Sequence, residues 1–212
     1  MIKFEELSKR YSAICKKLNI IANKIKNQLV NELNDEKHVD TIYVRLKSVK
    51  SFYDKSQELD GDRPKYPYPF RDIQDIIGAR VVVFYTDDVE IISERIKKIY
   101  DEYDKEIKTP EKESEFGYEG YHILYYIPQT FFENDNIVDL PNFFELQIST
   151  LYQHAWAQSI HGLEYKPKEI LDKEMRKKFY YLSALSWGAD KTLEEIRRNI
   201  KSEKIEKLIS KN

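Results

Sequence analysis

Phe4, Leu7, Tyr11, Ile14, Leu18, Ile21 and Ile25 recur at three- and four-residue spacing. That stripe predicts one long helix over residues 3–34. FFELQIS, residues 143–149, has another rhythm: Phe144, Leu146 and Ile148 alternate with Glu145, Gln147 and Ser149. A period of two is that of a strand with one apolar and one polar face. ARVVVFY (79–85) is continuously β-branched and aromatic, as in a buried central strand. TIYVRL (41–46) and residues 121–127 predict two further strands.

Between these lie helical and loop patterns. Ser48 is placed to cap a helix to residue 59, a short helix is expected over 71–77, and Asp87 or Asp88 caps another running to 103. Residues 151–163 form a helix with Trp156, Ile160 and Leu163 as its core stripe, and a long helix or helix pair follows Pro167 to residue 207. GDRPKYPYPF (61–70) has three prolines and a glycine and reads as a loop. The charged stretch 105–117 reads as a loop after a short edge strand. This order predicts an α+β fold, a mixed sheet of about five strands flanked by helices. The expected organisation is one compact domain with an N-terminal helix (1–40), a core (41–166) and a C-terminal helical extension (167–212).

Charge narrows the functional classes. Of the residues, 34% are charged, yet the net charge is only −2, unlike the basic chain of a general nucleic-acid binder. A single cysteine, Cys15, rules out an internal disulfide framework and a multi-cysteine zinc site. No run approaches the about 18 apolar residues of a membrane span. The amino-terminal MIKFEELSKRYS has no apolar stretch like that of a secretory leader, so a cytoplasmic protein with no membrane partner is expected. Six glycines form neither a GxGxxG nor a Walker loop, so any nucleotide would be held by side chains.

Four segments carry candidate chemistry. RLKSVKSFYDK brings Arg45, Lys47, Lys50 and Lys55 to a strand end and the helix after it. Cations there oppose the helix dipole, and a polyphosphate would relieve them, although charge runs are commonly just solvated faces. DIQDIIGAR puts Asp75 before the most apolar strand, Gly78 at a tight passage and Arg80 inside the strand. A buried arginine needs a partner, and an Asp75–Arg80 ion pair is the plain structural expectation. EFGYEGYH sets Tyr118 between glycines, as a local turn residue or a stacking plate for a base. In the last segment, His154 and His161 lie seven apart, too far for the three-to-five spacing of a zinc helix, and read as hydrogen-bonded structural residues. Asp75 and Glu145 are then two carboxylates on adjacent strands. With phosphate oxygens they would complete the octahedron of a magnesium ion, and the cations would neutralise the remaining charge.

The ordered blocks R-x-K-x3-S-x3-K, D-x-x-G-x-R, G-Y-x-x-x-H, E-[IL]-Q-[IV]-x-T and H-A-W-A-x3-H-x-L-x-Y-K, over residues 41–166, resemble the RelA/SpoT synthetase domain. With no hydrolase motif present, the chain looks like a small alarmone synthetase. The resemblance implies a nucleotidyltransferase-like fold. It also implies transfer of the β,γ-pyrophosphoryl group of ATP to the 3′-hydroxyl of GDP or GTP. Carried over by motif, Asp75 and Glu145 would hold Mg2+, with Glu145 near the attacking hydroxyl as general base. Arg45, Lys47, Lys55 and Arg80 would bind ATP. Tyr118, His122, Gln147, His161 and Lys166 would serve the acceptor.

Many relatives have arginine at the position of Ser149 and a basic or amide residue at that of Glu119, which puts guanine-nucleotide use in question. A toxic branch of the family pyrophosphorylates the 3′ end of tRNA or makes adenosine alarmones, and such a chain would have an antitoxin partner. The tRNA reading would need Lys9, Arg10, Lys16, Lys17, Lys24 and Lys26, or Arg176, Lys177, Lys178, Arg197 and Arg198, to form one surface. A nucleotide-binding module without turnover is the remaining alternative. The amphipathic ends also admit a homo-oligomer.

Overall fold

The structure, a computed structural model, describes residues 3–108, 120–132, 139–163 and 172–209. The N-terminal stripe closes as α1 (Phe4–Glu32), which buries Leu7, Tyr11, Ile14, Leu18, Ile21, Ile25 and Leu29 along one face. β1 (Val39–Leu46) follows, then α2 (Val49–Ser56), where Ser48 accepts a hydrogen bond from the Ser51 N–H as expected of its cap. The proline-rich loop contains a small hairpin, β2 (Leu59–Asp60) and β3 (Arg63–Pro64), turned through Gly61 at φ 59°. The helix expected over 71–77 is only the single turn α3 (Pro69–Asp72). Ile76 and Ile77 are needed in the core instead, and β4 (Ile77–Val83) begins there.

α4 (Thr86–Ile96) starts without a side-chain cap; Asp87 and Asp88 stand in its first turn, where the dipole favours carboxylates. It ends well before residue 103. Tyr100 buries its ring against Phe144 and Tyr125, which stops the helix and releases β5 (Glu102–Lys108) into the sheet. β6 (Gly120–Tyr126) falls on the strand expected over 121–127, and β7 (Phe143–Thr150) keeps the alternation of Phe144, Leu146 and Ile148 with Glu145, Gln147 and Ser149 through Ile148. α5 (Leu151–Leu163) and one continuous helix, α6 (Lys173–Ile209), complete the described chain. Among the described residues no helix is long and apolar enough to cross a membrane.

The five long strands form one mixed sheet in the order β1-β4-β7-β6-β5. β4 and β7 are parallel at its centre, and the other neighbours are antiparallel. One face carries Ala79, Val81, Val83, Ile123, Tyr125, Phe144, Leu146 and Ile148 into a continuous core with the α1 stripe and with Val89, Ile92 and Ile96 of α4. The other face is polar at the strand centres. At the end of β7 the chain turns through a reciprocal cap: Gln153 N–H donates to Thr150 Oγ1 (3.1 Å) and Thr150 N–H to Gln153 Oε1 (2.9 Å). The same Thr150 hydroxyl donates to Asp190 Oδ2 of α6 at 2.7 Å, with both residues buried.

Candidate active site

Strand register builds the site. Tyr43, Arg80, Gln147 and His122 are successive cross-strand partners from β1 through β4 and β7 to β6. Arg45, Gly78 and Glu145 form a second row two residues along. Positions two apart share a face, so both rows look to the same side of the sheet. All of them but His122 floor a cleft of about 410 Å3, walled by Asp75 from the turn before β4 and by His154 and Gln158 of α5. Gly78 has no left-handed backbone; a Cβ there would meet nothing within 4 Å, so its bare hydrogen leaves the floor flat rather than permitting a tight passage.

Asp75 does not pair with Arg80. Its two oxygens accept from Lys47 Nζ (2.6 Å) and Lys55 Nζ (3.1 Å). Burial would raise the Asp75 carboxyl, but the two ammonium groups outweigh it and hold the group below the ordinary carboxylate value. Lys47 is fixed from behind: its N–H donates to Ile76 O (2.9 Å), and its own carbonyl accepts from the buried Tyr11 hydroxyl of α1. Burial pushes that phenol up to about 12.

Glu145 sits on the polar face of β7, where two side chains hold it. Oε1 lies 2.8 Å from His122 Nδ1, and Oε2 accepts from Gln147 Nε2 at 3.1 Å. Burial again works upward on its pKa, and the His122 hydrogen bond and charge bring it below the usual value. The Asp75 charge also acts to raise it, so the two acids feel one another across the cleft. Arg80 is held from both sides, donating from Nε (3.2 Å) and Nη2 (2.7 Å) to Gln147 Oε1 and lying 3.1 Å from His154 Nδ1 through Nη1. Tyr43 stacks on the His154 ring with centroids 6.1 Å apart.

The cleft therefore gathers Asp75, Glu145, Arg45, Arg80 and Gln147, with Lys47, Lys55 and His122 bonded to the two acids. Tyr118 and Lys166 lie outside the described residues, as do Glu119 and the side chain of His161. Ser149 is buried on the polar face beyond Gln147, not presented to the cleft. Sequence reasoning missed Tyr43 and Gln158, and read His154 as a hydrogen-bonded structural residue without naming Arg80 as its partner. The period of β1, which sets Tyr43 beside Arg45, was the available signal for the first of these.

Two facing acids whose charges oppose one another suit a divalent cation, which would relieve their repulsion. Among the described residues no group of three or more His, Cys, Asp or Glu side chains is placed to hold a metal. An ion between Asp75 and Glu145 would thus draw its other ligands from phosphate and water oxygens, the pattern magnesium prefers.

Residues 44–170 match the family model for the region found in RelA and SpoT proteins. A relative, the GTP pyrophosphokinase YjbM of Bacillus subtilis strain 168, is 25% identical over 170 residues, 79% of this chain and 76% of that protein. The crystal structure of small alarmone synthetase 1 from Bacillus subtilis superposes with a TM-score of 0.73 at 23% identity, covering 91% of this chain and 98% of the other. The form of that synthetase bound to its product pppGpp gives 0.70 at 23% identity, covering 91% and 99%.

Proposed function

The chain belongs to the family defined by the region found in RelA and SpoT proteins, and from that membership we propose that it is a small alarmone synthetase. It transfers the β,γ-pyrophosphoryl group of ATP to the 3′-hydroxyl of GDP or GTP. The observation that carries this reading is the pair Asp75 and Glu145 in one cleft, each acid held by donors and flanked by Arg45, Arg80, Lys47 and Lys55. The names of the relative and of the product-bound synthetase, a GTP pyrophosphokinase and a pppGpp complex, support the same chemistry.

Arg45 and Arg80 bind ATP from β1 and β4, offering flat guanidinium groups to the base and charge to the phosphates. Lys47 and Lys55 exchange Asp75 for phosphate oxygens when the triphosphate enters, since a polyphosphate is the stronger anion. Asp75 and Glu145 would hold a magnesium ion, which would supply charge neutralisation to the triphosphate. Glu145 takes the proton of the acceptor 3′-hydroxyl. The freed oxygen bonds to the β-phosphorus, the bond from that phosphorus to the α,β-bridging oxygen breaks, and AMP leaves with the bridging oxygen. Tyr118, His161 and Lys166 serve the acceptor base and phosphates on the motif resemblance.

The test is direct. ATP labelled in the γ-phosphate is incubated with magnesium and, separately, GDP, GTP, ATP or deacylated tRNA. Label in a guanine product with release of AMP is expected; label on RNA, or on no acceptor at all, overturns the reading. An RNA acceptor has less to draw on than the basic residues of the terminal helices offer, because Arg10 is paired with Asp139, Arg197 with Asp88 and Arg198 with Glu194. Glu145→Gln is expected to abolish transfer and leave ATP binding intact by calorimetry; full activity in that variant would remove Glu145 as the base.

A further inference from the structure

We propose that Gln147 is a positioning residue that ties the donor-side cation Arg80 to the base Glu145, rather than a contact to the acceptor. Its single carboxamide spans the two. Oε1 accepts twice from Arg80, at 3.2 and 2.7 Å, while Nε2 donates to Glu145 Oε2 at 3.1 Å. The direction of the amide is forced: Arg80 can only donate, and an ionised Glu145 can only accept. Glutamine alone suits this place. Glutamate accepts from Arg80 but has no proton for Glu145 and repels it. Methionine, of similar length, does neither. Arg80 itself has Nε and Nη2 on Gln147 and Nη1 at 3.1 Å from His154 Nδ1, so its guanidinium plane is set by its supports. His122 holds the opposite oxygen of Glu145. The four side chains His122, Glu145, Gln147 and Arg80 form one hydrogen-bonded line across three strands. A nucleotide that draws on Arg80 therefore also moves the support of the base, so donor occupancy and base alignment are linked.

This inference rests on the pyrophosphokinase reading, and two variants test it separately from that reading. Gln147→Glu keeps the acceptor for Arg80 and loses the donor to Glu145. It should bind AMPCPP within about twofold of the unaltered protein, while kcat falls by about tenfold to a hundredfold, the usual scale for a misplaced catalytic group. Gln147→Met loses both contacts and should weaken AMPCPP binding by about tenfold as well, the cost of one charge-assisted hydrogen bond. In an Arg80→Met background, Gln147→Met should have no further effect on AMPCPP affinity, because the residue acts on the donor only through Arg80. Gln147→Glu with unaltered kcat, or additive losses of AMPCPP affinity in the double variant, overturns the proposal. A Michaelis constant for the acceptor that rises while kcat stays fixed overturns it too, by returning Gln147 to acceptor binding. Failure of the unaltered protein to transfer label to any acceptor instead refutes the pyrophosphokinase reading, and the AMPCPP arms still decide the Arg80 half of the linkage.

Discussion

At the residue scale, one cleft holds two carboxylates with different company. Asp75 faces two ammonium groups, a pairing that a polyphosphate can displace. Glu145 faces a histidine and an amide, which orient it without competing for the same role. His154 shows how a nearby cation sets a titration. Burial first, and then the Arg80 charge, hold its pKa below the ordinary 6.5, with Asp40 pulling weakly the other way. The ring is thus neutral at pH 7, and its Nδ1 accepts from Arg80 while the ring stacks on Tyr43. Because the folded value is depressed, the stabilisation from the neutral ring is complete above pH 6.5 and is lost as pH falls through the folded value. The Michaelis constant for ATP should rise as pH drops from about 7.5 to about 5. His154→Gln, whose amide oxygen accepts from Arg80 at every pH, should flatten that rise; equal acid limbs in both proteins would take His154 out of donor binding.

At the element scale, period alone located α1 and β7, because each has one face against the core and one facing away. It failed where a segment lacks that contrast. β5, EYDKEIK, is the short edge strand expected before the charged loop, but it runs on to Lys108, because the charges that read as loop from Lys105 instead guard an exposed edge. α4 was extended too far because nothing in its pattern announces that Tyr100 turns inward. The carboxylates and cations of the site were legible from motif order, whereas their partners were not. Which lysines meet Asp75, and that Arg80 meets Gln147 and His154 instead of Asp75, depends on cross-strand register, which one sequence does not print. The Thr150–Gln153 cap was readable as S/T-x-x-Q, but its tie to Asp190 was not. Thr150→Val removes the cap and the hydroxyl that donates to buried Asp190, so a loss of about 2–4 kcal/mol is expected by denaturant titration. Thr150→Ser should retain nearly all of the stability, and equal values for valine and serine would show the hydroxyl to be idle.

At the scale of the whole molecule, α6 is fastened to the core at several points. Asp190 meets Thr150 at the end of β7, Arg197 grips Asp88 of α4 at 3.0 Å, and Glu194 reaches Thr86 at 3.4 Å. His38, before β1, joins the same cluster through Asp88 and Arg197. Asp88, Thr150 and Asp190 are all buried, and losing half of such a network leaves charges and hydroxyls without partners. α6 is thereby fastened to β7, a strand of the cleft, and to α4. A chain ending at residue 170 is expected to melt at lower temperature and to lose AMPCPP binding; a truncated chain that melts and binds like the whole would separate α6 from the core.

Thr150 leads directly out of the strand that carries Glu145, and its hydroxyl is met by Asp190, forty positions later. A ribosome delivers these residues in that order. While Asp190 and Arg197 are still in the exit tunnel, the nascent chain has its acids and lysines but not the contacts that fasten α6 to β7 and α4. Docking of α6 on the sheet would then follow, rather than precede, formation of the strands that carry the cleft.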